Sequence, residues 1–578
     1  MRKLAYISII KAIILLVFVS GSGLYAQRPL EIDEIQVVAP YEPSISDAFK
    51  ININPVIEDT MTVAMDFNYT IQPKKIITRF APEQLTPARM RGEPLPRLYK
   101  GLVKAGYGSY QTPYFEGFYN TLRSNEYALG VHLKHRSSGK DIDHYEHSTY
   151  STNTANLYGT RFFRNTSLDG QVLFNRDVVR YYGMSELFDG VSKVFPDINT
   201  WGDRQRFDFL SSRLSFGTHH SDSLKTRMQF GLDHYWLADR YDATEHRFGG
   251  HARIGKETGG NNLRLASKLY LELDLSAEYF YNERNYGITH YDHSGIYKAE
   301  PKVYAEYTHL NLELGANISV EDNNGSYNMR AWPLARVEAS VIPQRLVFYM
   351  GLQGGLERQS LRQLTQTNPF MNTTSELTFS NLRSEVSGGM KGSVRDIVSF
   401  DFSVSNSKID NYPIFMTGIW PSMPPLSFDS RFLVFYDDIS LLNLRGSIQS
   451  RFGERLSLGL TGNYFDYDLK VLSRALHKPS YTLEFNARYN IQDKIILHAD
   501  LIGRGETWGQ KLISTGHPPV KHKLYDFVLD SNVGIEYRYT RILSVFLNFY
   551  NIQNETYEMW SFYPTQGFGF LGGVSYAF

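Results

Sequence analysis

Apolar and polar residues alternate along most of the chain from residue 98 onward. Between Tyr481 and Ile491 every second side chain is apolar or aromatic, and the side chains between them are polar. The same period of two runs through residues 227–236, 310–320 and 456–464. This period is typical of β-strands, because successive side chains of a strand point to opposite faces of the sheet. The pattern therefore predicts an all-β body of long antiparallel strands.

Two architectures use strands of this kind. A soluble sandwich or propeller buries the apolar face, whereas a transmembrane barrel turns that face to lipid and the polar face to a wet interior. Many of the alternating runs exceed the ~9–11 residues that a tilted membrane strand needs. Tyr and Trp also lie near the predicted strand ends, as in the aromatic girdles of membrane barrels. We therefore interpret the body as a transmembrane antiparallel β-barrel of about 22 strands.

The predicted connections alternate in length. If the amino end lies in the periplasm, the connections after even-numbered strands are short turns, and most of those after odd-numbered strands are longer external loops. The short turns are predicted at 123–126, 165–170, 221–224, 258–261, 343–345, 453–455 and 492–494. The longer loops are predicted at 139–148, 185–202, 285–297, 360–378, 412–430, 506–522 and 555–566. Short periplasmic turns and long external loops are typical of outer-membrane barrels.

Residues 1–26 have the layout of a secretory signal peptide. Arg2, Lys3 and Lys11 give a positive start. The apolar run 13–19 follows, and Ala26 is the predicted cleavage position. An anchor helix is the alternative, but this apolar run is too short to span a bilayer comfortably. The sequence thus predicts export, and we expect the barrel in the bacterial outer membrane.

The last segment of the chain alternates up to its final residue. Phe570, Val574, Tyr576 and Phe578 share one face of the predicted strand. A final strand that ends in Phe resembles the signal by which outer-membrane barrels are recognised by their insertion machinery. We therefore predict these four residues as an insertion signal, and an ordinary edge strand is the alternative.

Composition and motifs narrow the classes of function. Sixty Lys and Arg residues balance sixty Asp and Glu residues, so the chain has no basic excess for nucleic acid. Cysteine does not occur, which excludes disulfides, thiol catalysis and Cys-based zinc sites. G-x-S-x-G and H-E-x-x-H motifs are missing. We predict no enzymatic activity, catalytic residue or cofactor, although a Ser–His pair on separate strands would escape a motif search.

Two predicted external loops carry side chains of the kinds that bind transition metals. The candidate ligands are His144 and His147 in one loop and His290 and His293 in the other, beside Asp141, Asp143, Glu146 and Asp292. Histidine and carboxylate side chains are also common in solvated polar loops. We favour that second interpretation and predict no metal site.

Two segments resemble parts of TonB-dependent receptors of the outer membrane. Residues 101–119 (GLVKAGYGSYQTPYFEGFY) are similar to the first barrel hairpin of that family, in which a strand ends in a Gly-Ser-aromatic turn. Residues 34–40 (EIQVVAP) resemble the short TonB box, with Ile35, Gln36, Val37, Val38 and Ala39 as its core. The resemblance, which is to Bacteroidetes members in particular, implies a 22-stranded barrel, transport of a solute and a TonB-type energising partner.

The chain departs from that family between the box and the barrel. Residues 27–97 are too few for a complete plug domain and are rich in proline, which removes ladder donors and breaks helices. We therefore divide the chain into a signal peptide (1–26), a Pro-rich periplasmic or lumenal extension (27–97) and the barrel (98–578). A barrel of this width needs its lumen filled. The extension, inward-folded external loops or a partner protein are the alternatives.

Two functions stay open at this stage. In the first, the chain transports a solute across the outer membrane, and residues 35–39 pair as an added strand with the energising protein. In the second, the chain is a structural or assembly subunit of an outer-membrane complex, without transport, that docks a surface lipoprotein or another outer-membrane subunit. Its other expected partners are membrane lipids and the barrel insertion machinery. Asp233, Glu313, Glu484 and Arg488 are predicted to line the lumen, and their mixed charge does not identify a solute.

Overall fold

A computed structural model of the chain describes residues 98–183, 203–219, 226–258, 268–285, 289–343, 345–417, 431–511 and 520–578. Twenty-two strands form one sheet in which neighbouring strands pair antiparallel. The sheet closes on itself, because the first strand pairs with both the second and the last. The prediction of an antiparallel barrel of about 22 strands is confirmed.

The strands of the described residues are numbered here in chain order. They are β1 (Gly101–Gly108), β2 (Thr112–Asn120), β3 (Tyr127–Ser138), β4 (Tyr150–Phe162), β5 (Thr166–Arg180), β6 (Arg204–Thr218), β7 (Arg227–Ala238), β8 (Thr244–Thr258), β9 (Lys268–Asn285), β10 (Thr289–Glu306), β11 (Leu310–Asn323), β12 (Ser326–Ile342), β13 (Leu346–Arg358), β14 (Phe379–Val394), β15 (Val398–Thr417), β16 (Phe432–Phe452), β17 (Leu456–Leu469), β18 (Tyr481–Ile491), β19 (Ile495–Lys511), β20 (Val520–Arg538), β21 (Leu543–Tyr550), β22 (Glu558–Trp560), β23 (Tyr563–Pro564) and β24 (Gly569–Ala577). Strands β22 and β23 form a separate small hairpin in the last long connection. One α-helix, α1 (Leu361–Thr367), interrupts the connection between β13 and β14.

The outward side chains of the strands form an apolar belt. Leu232 and Met329 are each 66% exposed, and large apolar side chains on nearly every strand share this exposure. A soluble protein rarely exposes an apolar surface of this extent. In a bilayer the same surface faces lipid, and a closed barrel leaves no backbone group of its wall unpaired there. The belt therefore identifies a transmembrane barrel, and the soluble alternatives are excluded.

The inward side chains are polar and paired. On neighbouring strands, Arg253 Nε lies 2.5 Å from Asp274 Oδ1, and Lys302 Nζ lies 3.0 Å from Asp274 Oδ2. Lys302 also pairs with Glu300 at 2.9 Å. Of the predicted lumen residues, Asp233 follows the same pattern, since it pairs with Arg247 across the inner wall. The lumen thus carries both charge signs.

The alternation in connection length holds in outline. Three-residue turns at 453–455 and 492–494 follow even-numbered strands, as predicted, and β12 and β13 end and begin at Ile342 and Leu346, on either side of the predicted turn 343–345. Long connections at 139–149 and 359–378 follow odd-numbered strands. The external end of the barrel is the end that carries the connections after odd-numbered strands.

Three of the long loops were predicted too long. The predicted loop 285–297 is wrong, because β9 and β10 pair without interruption up to Asn285 and Thr289. Strands β15 and β19 likewise continue to Thr417 and Lys511. Polar side chains at these strand ends look like loop in the sequence. They pair as strands because the wall rises beyond the lipid belt, where water solvates both of its faces.

The barrel closes at the carboxyl end of the chain. The carbonyl oxygen of Phe578 accepts hydrogen bonds from the backbone N–H groups of Lys100 at 2.8 Å and Gly101 at 2.9 Å. The Phe578 ring lies over Gly101, where a Cβ atom would stand 2.2 Å from the ring. A side chain at position 101 would therefore displace the Phe578 ring from this place.

Across the described parts of the chain, no helix is both long and apolar enough to cross a membrane.

Candidate functional site

The buried apolar core of the protein lies inside the external end of the barrel. Its members come from inward strand positions and from the long connections. They are Phe207, Phe209, Tyr235, Leu237, Ala243, Phe280, Leu361, Leu364, Met371, Leu377, Phe415, Phe432, Trp560 and Tyr563. The lumen of a membrane barrel is normally polar. An apolar core at this place shows that external connections fold inward.

The connection 359–378 supplies the central part of this core. Its helix α1 begins after Ser360, whose Oγ accepts a hydrogen bond from the N–H of Gln363 at 3.2 Å. Leu361 and Leu364 on this helix are fully buried against the inner wall. The helix has only seven residues, so its position depends on contacts with the barrel rather than on its own stability.

Glu245 on β8 holds the start of α1. Its carboxylate accepts hydrogen bonds from the N–H groups of Leu361 at 2.8 Å and Arg362 at 3.0 Å. The Tyr235 hydroxyl and the Asn282 amide donate to the same carboxylate at 2.9 and 2.8 Å. Glu245 has no exposed surface. Four donors satisfy the buried charge and tie α1 to the wall.

Two further wall residues hold the rest of this connection. The Thr373 hydroxyl donates to Asp239 Oδ2 at 2.7 Å. Arg284 Nη1 donates to the carbonyl oxygen of Ser375 at 2.6 Å, and Arg284 also forms an ion pair with Asp292. The connection is therefore anchored at its beginning, its middle and its end.

A second connection, 551–568, enters the same core. Its residue Tyr563 stacks on Phe370 with ring centroids 4.0 Å apart and meets Tyr182 edge-on at 4.9 Å. The Tyr182 hydroxyl donates to the carbonyl oxygen of Pro564 at 2.9 Å. Residues from three connections that follow odd-numbered strands thus pack together inside the barrel mouth.

A buried Ser–His pair fixes the tip of this second connection. The hydroxyl and the backbone N–H of Ser561 donate to His477 Nε2 at 2.8 and 3.2 Å. His477 Nδ1 lies 3.2 Å from the carbonyl oxygen of Phe415, so this nitrogen carries the proton of the neutral ring. The N–H of Gln510 donates to Ser561 Oγ at 2.9 Å. Burial lowers the pKa of His477 to about 3, which keeps the ring neutral.

This pair does not form a hydrolase site. The partner of His477 Nδ1 is a backbone carbonyl rather than the carboxylate that would stabilise an imidazolium. Ser561 has no exposed surface, so a substrate has no access to its hydroxyl. The pair instead links the connections 470–480 and 551–568.

A cavity of about 800 Å³ lies in the lumen beside α1. The inner wall from β7 to β15 forms most of its surface, and Arg362 and Gln363 of α1 form another part. Its basic and acidic lining residues are Arg247, Lys298, Arg358, Arg362, Lys478, Glu278, Glu357 and Glu385. Apolar side chains such as Ile296 and Leu356 complete the lining. The volume is in the range of sites that hold small organic ligands.

The first group of predicted metal candidates lies in the connection between β3 and β4. His144 and His147 both have a positive φ, of 69° and 63°. Asp141 is used to close the loop, because its Oδ1 accepts from the N–H of Ser148 at 2.7 Å. The carboxylate of Asp141 thus has a structural role here.

The second group lies on β10 rather than in a loop. His290 and Asp292 take alternate positions on the strand and share one face, with His290 Nε2 3.5 Å from Asp292 Oδ1. His293 takes the opposite face, beside the Tyr279 ring. Among the residues that the structure describes, no group of three or more His, Asp or Glu side chains is placed to hold a metal ion.

The predicted insertion-signal residues lie together on the last strand. Phe570, Val574, Tyr576 and Phe578 are all exposed on the outer face, between 46% and 51%. Their part in insertion remains a prediction. The TonB-box-like residues 35–39 fall outside the described residues, as do the signal peptide and the extension 27–97.

Sequence reasoning did not identify the anchors Glu245, Asp239 and Arg284. They occur among many other charged residues near predicted strand ends, and no spacing marks them. The helix α1 is also too short for a period of 3.6 residues to stand out in its sequence. The sequence does contain one indication of this helix, which is a Ser at the N-cap position 360 followed by leucines at positions 361 and 364.

No family model and no curated protein sequence matches the chain. Solved structures do match it. The ferripyoverdine receptor of the Pseudomonas aeruginosa outer membrane is 12% identical, with a TM-score of 0.61 over 84% of this chain and 72% of that one. The FrpB iron transporter of Neisseria meningitidis is 10% identical, with a TM-score of 0.61 over 84% and 82%. The siderophore receptor PirA of Acinetobacter baumannii is 11% identical, with a TM-score of 0.61 over 84% and 81%.

At this level of identity the likeness shows a shared fold. The resemblance to TonB-dependent receptors is therefore confirmed for the barrel, including its 22 strands. The lipid-facing belt and this fold together place the chain in the bacterial outer membrane, as predicted. The neighbours named above are receptors and a transporter rather than enzymes.

Proposed function

We propose that the chain is an outer-membrane receptor that takes up a small solute through its barrel. The observation that carries this proposal is the cavity of about 800 Å³ inside the lumen, bounded on one side by the barrel wall and on another by α1. A cavity lined by apolar side chains and a few convergent charged groups is the usual form of a ligand site. The neighbours with the same fold are named as a ferripyoverdine receptor, an iron transporter and a siderophore receptor, which supports an uptake role.

We further propose that residues 35–39 receive the energising protein. Ile35, Val37 and Val38 have the β-branched side chains that suit strand addition. The mechanism that follows has two parts. The cavity binds the solute from the external side, and a pull on the amino-terminal segment supplies the energy for its passage.

One observation favours a second candidate, a structural subunit of an outer-membrane complex. The external end of the lumen contains a packed apolar core instead of an open polar passage. A barrel closed in this way is suited to serve as a rigid platform for a surface lipoprotein or another outer-membrane subunit. Such a platform does not need a solute cavity, so the cavity argues for the receptor.

Solute depletion by living cells distinguishes the receptor from the structural subunit. Cells that carry the chain and cells from which it is deleted would be grown in the same medium, and the spent media compared by mass spectrometry. Uptake predicts at least one solute that only the first cells remove. Identical media, together with a stoichiometric protein partner after purification in mild detergent, would support the structural subunit and contradict the receptor.

A further inference from the structure

The lumenal cavity has an excess of basic side chains. Five basic and three acidic residues line it. Arg247 is neutralised, because it pairs with Glu278 at 2.8 Å and with Asp233. The other four are Lys298, Arg358, Arg362 and Lys478, and none of them forms an ion pair with a described residue.

Arg358 is the least satisfied of these four cations. It is 7% exposed, and its Nε is buried without a hydrogen-bond partner among the described residues. Its guanidinium lies 5.1 Å from the centroid of the Phe379 ring. Burying a guanidinium nitrogen without an acceptor costs free energy that a bound anion would offset. The side chain lines the cavity, so an anion in the cavity would have access to it.

Two of the other cations rest on aromatic rings. The Arg362 guanidinium lies 3.8 Å from the centroid of the Phe209 ring, and Lys478 Nζ lies 5.4 Å from that of Tyr412. Asp177 and Glu245 act on Arg362 only through space, and its burial outweighs them and lowers its pKa. Aromatic faces attract cations but supply no full negative charge. Both side chains therefore retain donors for an acid group.

The acidic lining residues already have their own partners. Glu385 accepts from Gln353 at 2.7 Å and from Ser407 at 2.7 Å. Glu357 accepts from Gln363 at 2.9 Å. Glu278 is paired with Arg247. Glu357 and Glu385 keep their negative charge, because their donors are neutral, but neither forms an ion pair with the four remaining cations, which outnumber them by two.

We propose that the cavity is a binding site for an amphipathic organic anion that carries at least two acid groups. Lys298, Arg358, Arg362 and Lys478 would bind the acid groups, and apolar side chains such as Ile296 and Leu356 would contact the body of the solute. Separate cations suit separate acid groups, whereas a single small anion would leave most of them unpaired. The inference names the solute class of the receptor and in that sense rests on the proposed function.

A fluorescent trianion tests the site directly. Pyranine (8-hydroxypyrene-1,3,6-trisulfonate) has an aromatic body with three acid groups, so it belongs to the proposed class of solute. Its fluorescence anisotropy would be titrated with the purified chain in a neutral maltoside detergent at constant ionic strength, because salt screens such attraction. The expected result is saturable binding to the wild-type chain that citrate displaces. Lack of saturable binding would overturn the proposal.

Variants locate the site within the barrel. The double substitution Arg358→Gln/Arg362→Gln is expected to weaken pyranine binding roughly tenfold or more, since it removes two charge-assisted contacts. If that variant fails to fold, as judged by heat-modifiable electrophoretic mobility, Lys298→Gln/Lys478→Gln replaces it, with a loss of roughly threefold or more. Wild-type affinity in a folded variant would overturn the proposal.

A matched control removes two charges elsewhere. Arg451 and Arg455 are exposed near the turn between β16 and β17, at the other end of the barrel. Arg451→Gln/Arg455→Gln should keep wild-type affinity. A loss of pyranine affinity equal to that of the cavity variants would mean that pyranine binds nonspecifically to positive charges of the chain, and it would overturn the proposal.

The binding titration tests the anion site, and the depletion of solutes from the medium tests the receptor, so either result can be negative without the other. Binding without uptake would leave the anion site in place and contradict the receptor. Uptake by a chain that does not bind pyranine would support the receptor and overturn the anion site.

Discussion

At the scale of single residues, one buried carboxylate decides where the external connection sits. Both oxygens of Glu245 accept from backbone N–H groups of α1. Glu245→Gln replaces one oxygen by an amide group that cannot accept, so one N–H of α1 loses its partner. We expect a local loss of about 1–3 kcal/mol. Hydrogen exchange of residues 359–378 in the purified chain should be faster in this variant.

The control for this substitution is Glu313→Gln. Glu313 lines the inner wall near the other end of the barrel, where it takes no part in holding α1. That variant should exchange like the wild type over residues 359–378. Equal exchange in both variants and in the wild type would contradict the anchoring role of Glu245.

His477 makes the packing of the second connection depend on pH. Its pKa is about 3 in the folded protein, against the ordinary value of 6.5. Because the folded value is lower, the neutral ring adds stability above pH 6.5, and this stability is lost as the pH falls from 6.5 toward 3. The loss approaches about 1.4 kcal/mol per pH unit.

The measurement is hydrogen exchange of residues 551–568 at pH 7 and pH 5, corrected for the intrinsic exchange rate. The wild type should lose protection at pH 5. His477→Gln should show less protection at pH 7 and little further loss at pH 5, because glutamine at position 477 does not titrate. Equal pH dependence in both proteins would contradict the assignment to His477.

At the scale of elements, the connection 359–378 narrows the lumen from the external side. Replacing Leu361–Thr367 by a Gly/Ser segment of the same length removes Leu361 and Leu364 from the apolar core. We expect the lumen to widen, with a higher single-channel conductance in planar bilayers. A Gly/Ser replacement of the exposed turn residues 453–455, at the other end of the barrel, should leave the conductance unchanged. Unchanged conductance in the first variant would show that α1 does not narrow the passage.

The elements also show how far the sequence predicts the fold. Strand β18 lies at Tyr481–Ile491, where the alternation places it, because its outward face meets lipid and must be apolar. The strand ends of β9 and β10 were missed, because water on both faces of the wall removes the alternation there. The candidate site was not predicted, because it joins residues far apart in the sequence, such as Glu245 and Leu361, through one inward-folded connection.

At the scale of the whole molecule, the last residue closes the seam by packing its ring over a glycine of β1. Gly101→Leu would place a side chain where the Phe578 ring lies. We expect the leucine to displace the Phe578 ring from β1 and to decrease the amount of the heat-modifiable, folded form in the outer membrane. Gly217→Leu is the control, because a Cβ atom there meets nothing within 4 Å. Normal amounts of folded Gly101→Leu protein would contradict the importance of this contact.

The receptor proposal assigns two functions to separate parts of the chain. Residues 35–39 couple energy, and the lumenal cavity binds the solute. Val37→Pro removes a backbone hydrogen-bond donor and disfavours strand pairing, so an energising protein would bind residues 35–39 more weakly. The four cations of the cavity are unchanged in this variant. We therefore expect loss of solute uptake in cells, with pyranine affinity equal to that of the wild type. Val37→Thr keeps a β-branched residue with its N–H, and it should retain uptake. If Val37→Pro cells still deplete the solute, energy does not enter through this segment, and uptake would have to proceed without this pairing.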